Sequence, residues 1–237
     1  MEEQSIVVMG AGYVGLASGV CLASIGHKVV CVDKNKAVID RIKLGNPHIY
    51  EKGLASLLSR VLKSGRFVAT TDLRSAMDGV NGVLICVGTP TIKGKLDLTN
   101  LKQATAAIAE KINDQDGVVS VVVKSTVLPG VTDTFVRKTI QENLPDPDTQ
   151  FGLGMNPEFL REGEAISDFM EPDRLIFGYE DENARSFLQK LYSPWSCEKV
   201  FVNSRTAELI KYANNALLAA QISTINEIKQ NPPSRSA

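Results

Sequence analysis

The stretch Ser5-Ile6-Val7-Val8-Met9-Gly10-Ala11-Gly12-Tyr13-Val14-Gly15 constrains this chain more than any other. A short apolar run feeds a Gly-x-Gly-x-x-Gly turn, and a helical pattern follows from Leu16 through Ile25. A second strand, Lys28 to Val32, ends in Asp33, 18 residues after Gly15. Strand, glycine turn, helix, strand and acid in that order mark a dinucleotide-binding βαβ unit. Gly10 permits the tight turn, Gly12 lets backbone approach a pyrophosphate, and Gly15 lets the helix pack close to the strand. The N-terminus of that helix offers unpaired N–H groups and partial positive charge to phosphates. Asp33 is placed to accept hydrogen bonds from an adenosine ribose. Its charge repels a 2′-phosphate, so NAD is expected rather than NADP, with Lys34 and Lys36 as the opposing charges.

Composition limits what such a unit can belong to. The net charge of −1 gives no reason to expect nucleic acid or an anionic membrane as partner. No apolar run approaches the ~20 residues of a membrane span. The start of the chain shows no basic-then-apolar leader, so no secretion signal is expected. Four scattered cysteines (Cys21, Cys31, Cys86 and Cys197) lack metal or redox spacing. Cys21, Cys31 and Cys86 lie in apolar patterns and read as small buried hydrophobes. A reduced, cytoplasmic compartment is the expectation.

Apolar runs alternate with helical patterns along the rest of the chain. Helices are expected over Asn35 to Leu44, Leu54 to Leu62, Asp72 to Met77, Leu98 to Ile112, Val131 to Asn143 and Asn183 to Tyr192. Strands are expected over Phe67 to Thr71, Gly82 to Val87, Val118 to Val123, Phe151 to Met155, Arg174 to Tyr179 and Lys199 to Val202. Lys93 to Asp97 reads as a polar loop. This alternation predicts a doubly wound, mostly parallel α/β sheet of the Rossmann type. Ligands of such sheets bind outside the carboxyl ends of the strands. Asp33, Gly88-Thr89-Pro90-Thr91, Ser125-Thr126 and Asn156-Pro157-Glu158 all fall at such ends. Taken singly, each also reads as a turn or cap residue. At successive strand ends they point to one crevice.

Six motifs then occur in order. They are Gly10 to Gly15, Cys86-Val87-Gly88-Thr89-Pro90-Thr91, Lys124-Ser125-Thr126-Val127-Leu128-Pro129-Gly130, Asn156-Pro157-Glu158-Phe159-Leu160-Arg161-Glu162-Gly163, Asp168-Phe169 with Pro172-Asp173-Arg174, and Thr206-Ala207-Glu208-Leu209-Ile210-Lys211-Tyr212-Ala213-Asn214-Asn215. With these motifs the chain resembles the nucleotide-sugar 6-dehydrogenases, from about residue 5 to Glu227 or Ile228. The Glu158-to-Gly163 wording is similar to the branch acting on UDP-glucose, rather than to the N-acetylmannosamine branch.

The resemblance implies oxidation of a sugar C6 alcohol to a carboxylate in two NAD-dependent steps, through a thiohemiacetal and a thioester on a cysteine. It implies cofactor contacts at Gly10, Gly12, Tyr13, Val14, Gly15, Asp33, Val87, Gly88, Thr89, Pro90, Ser125, Thr126 and Glu162. It implies substrate contacts at Glu158, Phe159, Leu160, Arg161, Lys211 and Asn215. Thr126 and Glu158 would position a water and assist proton transfer. A carboxylate in a closed apolar cleft is raised toward neutrality, which suits a general base. Lys211 and Asn215, four apart on one helix face, would stabilise an oxyanion. On the residues alone, Glu158 also reads as a helix-entry residue, the Lys211 and Asn215 face as solvated, and Arg161 as a surface charge.

The family's cysteine lies in a glycine-rich segment beyond the Lys211 helix, and this sequence has no such segment. The expected organisation is a NAD-binding domain over 1–204, the start of a connecting and dimerisation helix over 205–229, and a divergent tail over 230–237. The UDP-sugar-binding domain is expected to be absent, so the chain is expected to bind UDP-glucose weakly and not to complete turnover alone. The exposed apolar face Leu209, Ala213, Leu217, Ile222 and Ile225 raises a second possibility. In that reading the chain is a non-catalytic NAD-binding module, forming a homo- or hetero-oligomer with a full-length dehydrogenase. A third reading is a 6-phosphogluconate-type enzyme with a similar Lys-x-x-x-Asn helix.

Overall fold

A computed structural model describes residues 2–112 and 117–230. Its first elements are β1 (Ser5–Met9), α1 (Tyr13–Ser24), β2 (Lys28–Val32), α2 (Lys36–Lys43), α3 (Leu54–Lys63), β3 (Phe67–Thr70), α4 (Leu73–Ala76) and β4 (Gly82–Ile85). A two-stranded hairpin, β5 (Thr91–Ile92) with β6 (Lys95–Leu96), leads to α5 (Thr99–Ile112) and β7 (Val119–Val123). There follow α6 (Arg137–Asn143), β8 (Phe151–Met155), α7 (Ala165–Met170), β9 (Arg174–Tyr179), α8 (Glu182–Leu191), β10 (Glu198–Val202) and α9 (Ser204–Gln230). Residues 231–237, most of the expected tail, lie outside the described residues.

Eight of these strands form one sheet in the order β10-β9-β8-β7-β4-β1-β2-β3. The six from β3 to β8 are mutually parallel. β9 pairs antiparallel with β8, and β10 follows β9. The sheet is therefore mostly parallel, and the winding reverses between β1 and β4. There the loops leave in opposite directions and open a crevice. Side chains alternate across the sheet. Ile6 and Val8 of β1 face one core layer with Leu16, Val20, Phe67, Phe177 and Tyr192. Val7 faces the other with Val83, Leu101, Ile108, Val121 and Ile140. Burial on both faces explains why β1, β4 and β7 read as continuous apolar runs.

The structure corrects several expected boundaries. α1 begins at Tyr13, not Leu16, because Gly12 is already its N-cap. β4 stops at Ile85 rather than Val87. There the Ile85 carbonyl accepts two N–H groups, from Lys124 and Ser125. The expected loop over Lys93 to Asp97 is part of the β5–β6 hairpin, turned by Lys93 (φ +49°) and Gly94 (φ +75°). The expected helix over Val131 to Asn143 starts as a π-helical turn, Val131–Val136. The Glu208 carboxylate of α9 accepts the Gly130 N–H at 2.5 Å and the Thr132 N–H at 2.8 Å beside it. Helix α7 had no helical pattern of its own in the sequence.

The first two turns of α9 pack into the domain, with Ser204, Ala207, Glu208 and Lys211 buried. From Ala213 onward the helix is exposed, including Leu217, Ile222 and Ile225. Among the described residues no helix is long and apolar enough to cross a membrane.

Candidate active site

The glycine turn lies at the reversal point, against the loop after β4. A Cβ at Gly10 (φ +106°) would stand 2.8 Å from the Cys86 carbonyl oxygen, and one at Gly15 would stand 1.9 Å from the Gly10 carbonyl oxygen. Both positions close the turn. Gly12 is different: no atom lies within 4 Å of where its Cβ would be. The space in front of the turn is open, and α1 has neither a side-chain cap nor an acidic residue in its first turn. Its first N–H groups therefore remain for an anion.

Asp33 has two tasks. Its Oδ2 accepts the Ala11 N–H at 2.7 Å and its Oδ1 accepts the Asn35 N–H at 2.8 Å. The carboxylate braces the glycine turn and keeps lone pairs for ribose hydroxyls. Beside it is a pocket of about 220 Å³ with Val32, Val87, Gly88 and Ala104 in its walls. An apolar slot with a carboxylate at its rim and helix N–H groups beyond fits the adenosine and pyrophosphate of a dinucleotide.

The expected contacts in the next two loops hold those loops together. Ser125 Oγ donates to the Val87 carbonyl at 2.6 Å, and Thr89 Oγ1 donates to the Thr126 carbonyl at 2.6 Å. Val87, Gly88, Thr89, Pro90, Ser125 and Thr126 thus form one continuous wall across the ends of β4 and β7.

The loop after β8 forms the opposite side. Glu158 does not sit in an apolar cleft as a lone carboxylate. Its Oε1 lies 2.7 Å from Lys211 Nζ, with the two side chains only 13% and 7% exposed. Its Oε2 accepts the Leu160 N–H at 2.8 Å. Lys211 also stands 5.4 Å above the Phe159 ring. The described structure therefore places Glu158, Phe159, Leu160 and Lys211 together. Asn215, one turn further along α9, is exposed. Arg161 pairs with Asp168 through Nη2 at 2.6 Å and Nε at 3.1 Å, which fixes the turn rather than leaving a free surface charge. Glu162 is exposed at the tip. Tyr13 Oη donates to the Arg161 carbonyl at 2.7 Å and so joins the glycine turn to this loop.

Two residues that hold the site did not stand out in the sequence. Glu51 is buried, and its oxygens accept the Gly163 N–H at 2.8 Å and the Ala165 N–H at 2.9 Å. Burial, with the Glu51 carboxylate alongside, pushes the Tyr13 phenol up. Lys124 closes a strand of buried residues and is itself buried. Its Nζ donates to Asn156 Oδ1 at 2.8 Å, and Tyr192 Oη donates to the same oxygen at 2.6 Å. Burial lowers the Lys124 ammonium to about 8. A lone lysine at the end of a Val-rich run was the one signal for it. Glu51 had none, because it follows a Pro-containing break.

Cys21, Cys31 and Cys86 are buried, as their apolar surroundings predicted, and Cys197 is half-buried. Burial pushes the thiols of Cys21 and Cys86 up to about 12, and that of Cys31 upward as well. None of these three is a nucleophile at neutral pH.

Over residues 4–196 the chain matches the family described as UDP-glucose/GDP-mannose dehydrogenase family, NAD binding domain. A UDP-glucose 6-dehydrogenase of Rhizobium meliloti (strain 1021) is 44% identical over 230 residues, which cover 94% of this chain and 51% of that protein. One from Bacillus subtilis (strain 168) is 41% identical over 226 residues, 95% of this chain and 48% of that protein. The solved structure of a UDP-glucose dehydrogenase from Pyrobaculum islandicum superposes with a TM-score of 0.92 at 40% identity, over 96% of this chain and 52% of that one. A ternary complex of GDP-mannose dehydrogenase from Pseudomonas aeruginosa gives 0.91 at 36% identity, over 94% and 52%. The chain spans about half the length of the curated relatives it matches.

Proposed function

The chain belongs to the UDP-glucose/GDP-mannose dehydrogenase family, and we propose that it provides the NAD side of the oxidation of the C6 alcohol of UDP-glucose. The observation that carries this reading is the buried Glu158–Lys211 pair. It lies on a loop that Tyr13 ties to the glycine turn. NAD, when bound, supplies the acceptor for the hydride.

The residues of the chain supply the rest. Glu158 takes the alcohol proton, directly or through a water set by Thr126. Lys211 neutralises the developing oxyanion, an effect of about 3 kcal/mol for a well-placed donor. Phe159 and Leu160 cover the cleft, and Asn215, one turn beyond Lys211 on α9, is assigned the second donor to the oxyanion. The substrate identity rests on the Glu158-to-Gly163 wording and on the names of the Rhizobium meliloti and Bacillus subtilis relatives. The family match argues against the 6-phosphogluconate-type reading. Four free cysteines fit a reducing compartment such as the cytoplasm.

Among the described residues, Cys21, Cys31 and Cys86 are buried and stay protonated at neutral pH, and neither they nor Cys197 lie on the loop that carries Glu158 or on the helix that carries Lys211. We therefore infer that this chain by itself binds NAD but does not sustain the two-step oxidation. The test is to mix the purified chain with NAD and UDP-glucose and to follow absorbance of the reduced cofactor. Saturable NAD binding without sustained reduction is expected. Sustained turnover would overturn the inactivity, and absence of NAD binding would overturn the cofactor reading.

A second reading has its own observation. On α9, Leu209, Leu217, Leu218, Ile222, Ile225 and Ile228 are each 51–64% exposed. An apolar face of this length suits association with a full-length dehydrogenase as a non-catalytic module. Co-purification with such a subunit supports it. A sharp monomer at all concentrations counts against it.

A further inference from the structure

Two cations stand near the ribose acid, and they are held differently. Lys36 on α2 lies 2.5 Å from the Asp40 carboxylate, one turn along its own helix. Lys34 follows Asp33 directly and lies in the wall of the adenosine pocket. Its Nζ donates to Asn100 Oδ1 at 3.1 Å, on the first turn of α5 across the pocket. Asn100 Nδ2 in turn donates to the Gly88 carbonyl at 3.3 Å. One carboxamide thus links three walls of the pocket: the end of β2, the loop after β4, and α5.

We infer that Asn100 anchors the Lys34 ammonium on the α5 wall of the pocket, and thereby keeps this domain selective for NAD over 2′-phosphorylated dinucleotides. The inference rests on the NAD reading and goes beyond it. A basic side chain next to the ribose acid is the group that accommodates a 2′-phosphate when it is free to turn toward it. Here the charge is committed elsewhere, while Asp33 keeps its own repulsion. The partner of Lys36 is an anion, so that lysine is neutralised where it stands. The partner of Lys34 is a neutral amide, so its full positive charge is retained and only its direction is set. Asn100, rather than a second acid, therefore determines whether that charge reaches the 2′ position.

The test is a binding cycle on the whole chain. NAD and NADP affinities are measured by titration calorimetry for the unmodified protein, Asn100→Ala, Lys34→Met and the double variant. ADP and 2′,5′-ADP serve as fragments that isolate the phosphate. Asn100→Ala should tighten NADP and cut the NAD preference by about fivefold, the worth of one exposed ion pair formed between the freed Lys34 and the 2′-phosphate. Lys34→Met should leave the preference near that of the unmodified protein, and adding Lys34→Met to Asn100→Ala should restore it. If Asn100→Ala fails to fold, Asn100→Leu, which also lacks an acceptor, carries the same expectation. An unchanged preference in the Asn100 variant, or an equal drop in the double variant, overturns the inference alone. Failure of the unmodified chain to bind NAD overturns the NAD reading itself, and this inference with it.

Discussion

Lys211 Nζ lies 2.7 Å from Glu158 Oε1, joining α9 to the loop after β8 in a setting where both side chains are almost out of solvent. Removing one partner of such a pair leaves the other charge buried and uncompensated. Lys211→Met is therefore expected to destabilise the domain by about 3 kcal/mol in urea denaturation at neutral pH. Combining it with Glu158→Gln should recover at least half of that loss. A single variant as stable as the parent would mean that solvent, not Lys211, balances Glu158.

How much of this site could be read from the sequence depends on where each residue's partner lies. Gly10, Gly12, Gly15 and Asp33 were legible because their partners are local: the turn, α1 and the neighbouring strand. The strand-end residues Gly88, Ser125 and Glu158 were legible as a set because parallel strands bring their carboxyl ends together. The reversal of β9 and β10 was not, since an apolar run carries no direction. Lys124, Glu51 and Asn100 were not read as site residues because their partners are distant in sequence. Lys124 reaches Asn156, Glu51 reaches Gly163 and Ala165, and Asn100 is reached by Lys34. Each reads as an ordinary polar residue until the fold supplies the other half.

Asp33 is expected to act on both the ribose and the turn. Asp33→Ala removes the acceptor for ribose hydroxyls and the brace on the Ala11 N–H. NAD affinity should fall about tenfold or more, the worth of one lost charge-assisted hydrogen bond. The preference for NAD over NADP should shrink with it. Fluorescence titration with both cofactors checks this. If NADP already binds the unmodified protein as tightly as NAD, Asp33 does not discriminate.

Lys124 gives a signature at alkaline pH. Burial lowers its native value to about 8, while the unfolded chain titrates near the ordinary ammonium value of ~10.4. Between those values the unfolded state holds a proton that the native state has released, so stability rises with pH. Below about pH 8 both states are charged and the burial cost is constant. Relative to Lys124→Met, the unmodified protein should gain on the order of 2 kcal/mol between about pH 7.5 and pH 10.5. A pH-independent difference between the two proteins would show that Lys124 titrates as it does in water.

His27 acts at the other end of the scale. Its Nδ1 accepts the Gln4 N–H at 3.1 Å, so the ring must be neutral there and Nε2 donates to the Leu191 carbonyl at 2.9 Å. Burial lowers its pKa. As pH falls through ~6.5 the unfolded chain takes up a proton that the native ring resists, so stability is lost from there down to the lowered native value. Thermal melts at pH 7.5 and pH 5.5 should show a larger drop for the unmodified protein than for His27→Gln, which stays neutral throughout. Equal drops would assign the acid sensitivity to other groups.

The glycine turn separates folding from binding within four residues. At Gly15 a methyl group would meet the Gly10 carbonyl at 1.9 Å, and the neighbour is backbone that cannot step aside. Gly15→Ala should therefore lower the melting temperature as well as abolish NAD binding. At Gly12 a methyl group meets nothing within 4 Å, and the backbone there (φ −68°) suits alanine. Gly12→Ala should melt like the parent, yet lose NAD affinity by at least tenfold, because the methyl group occupies the space through which the pyrophosphate approaches the helix N–H groups. Paired melting curves and NAD titrations of the two variants decide the matter. If Gly12→Ala binds NAD as the parent does, the open space before the turn is not where the phosphates lie.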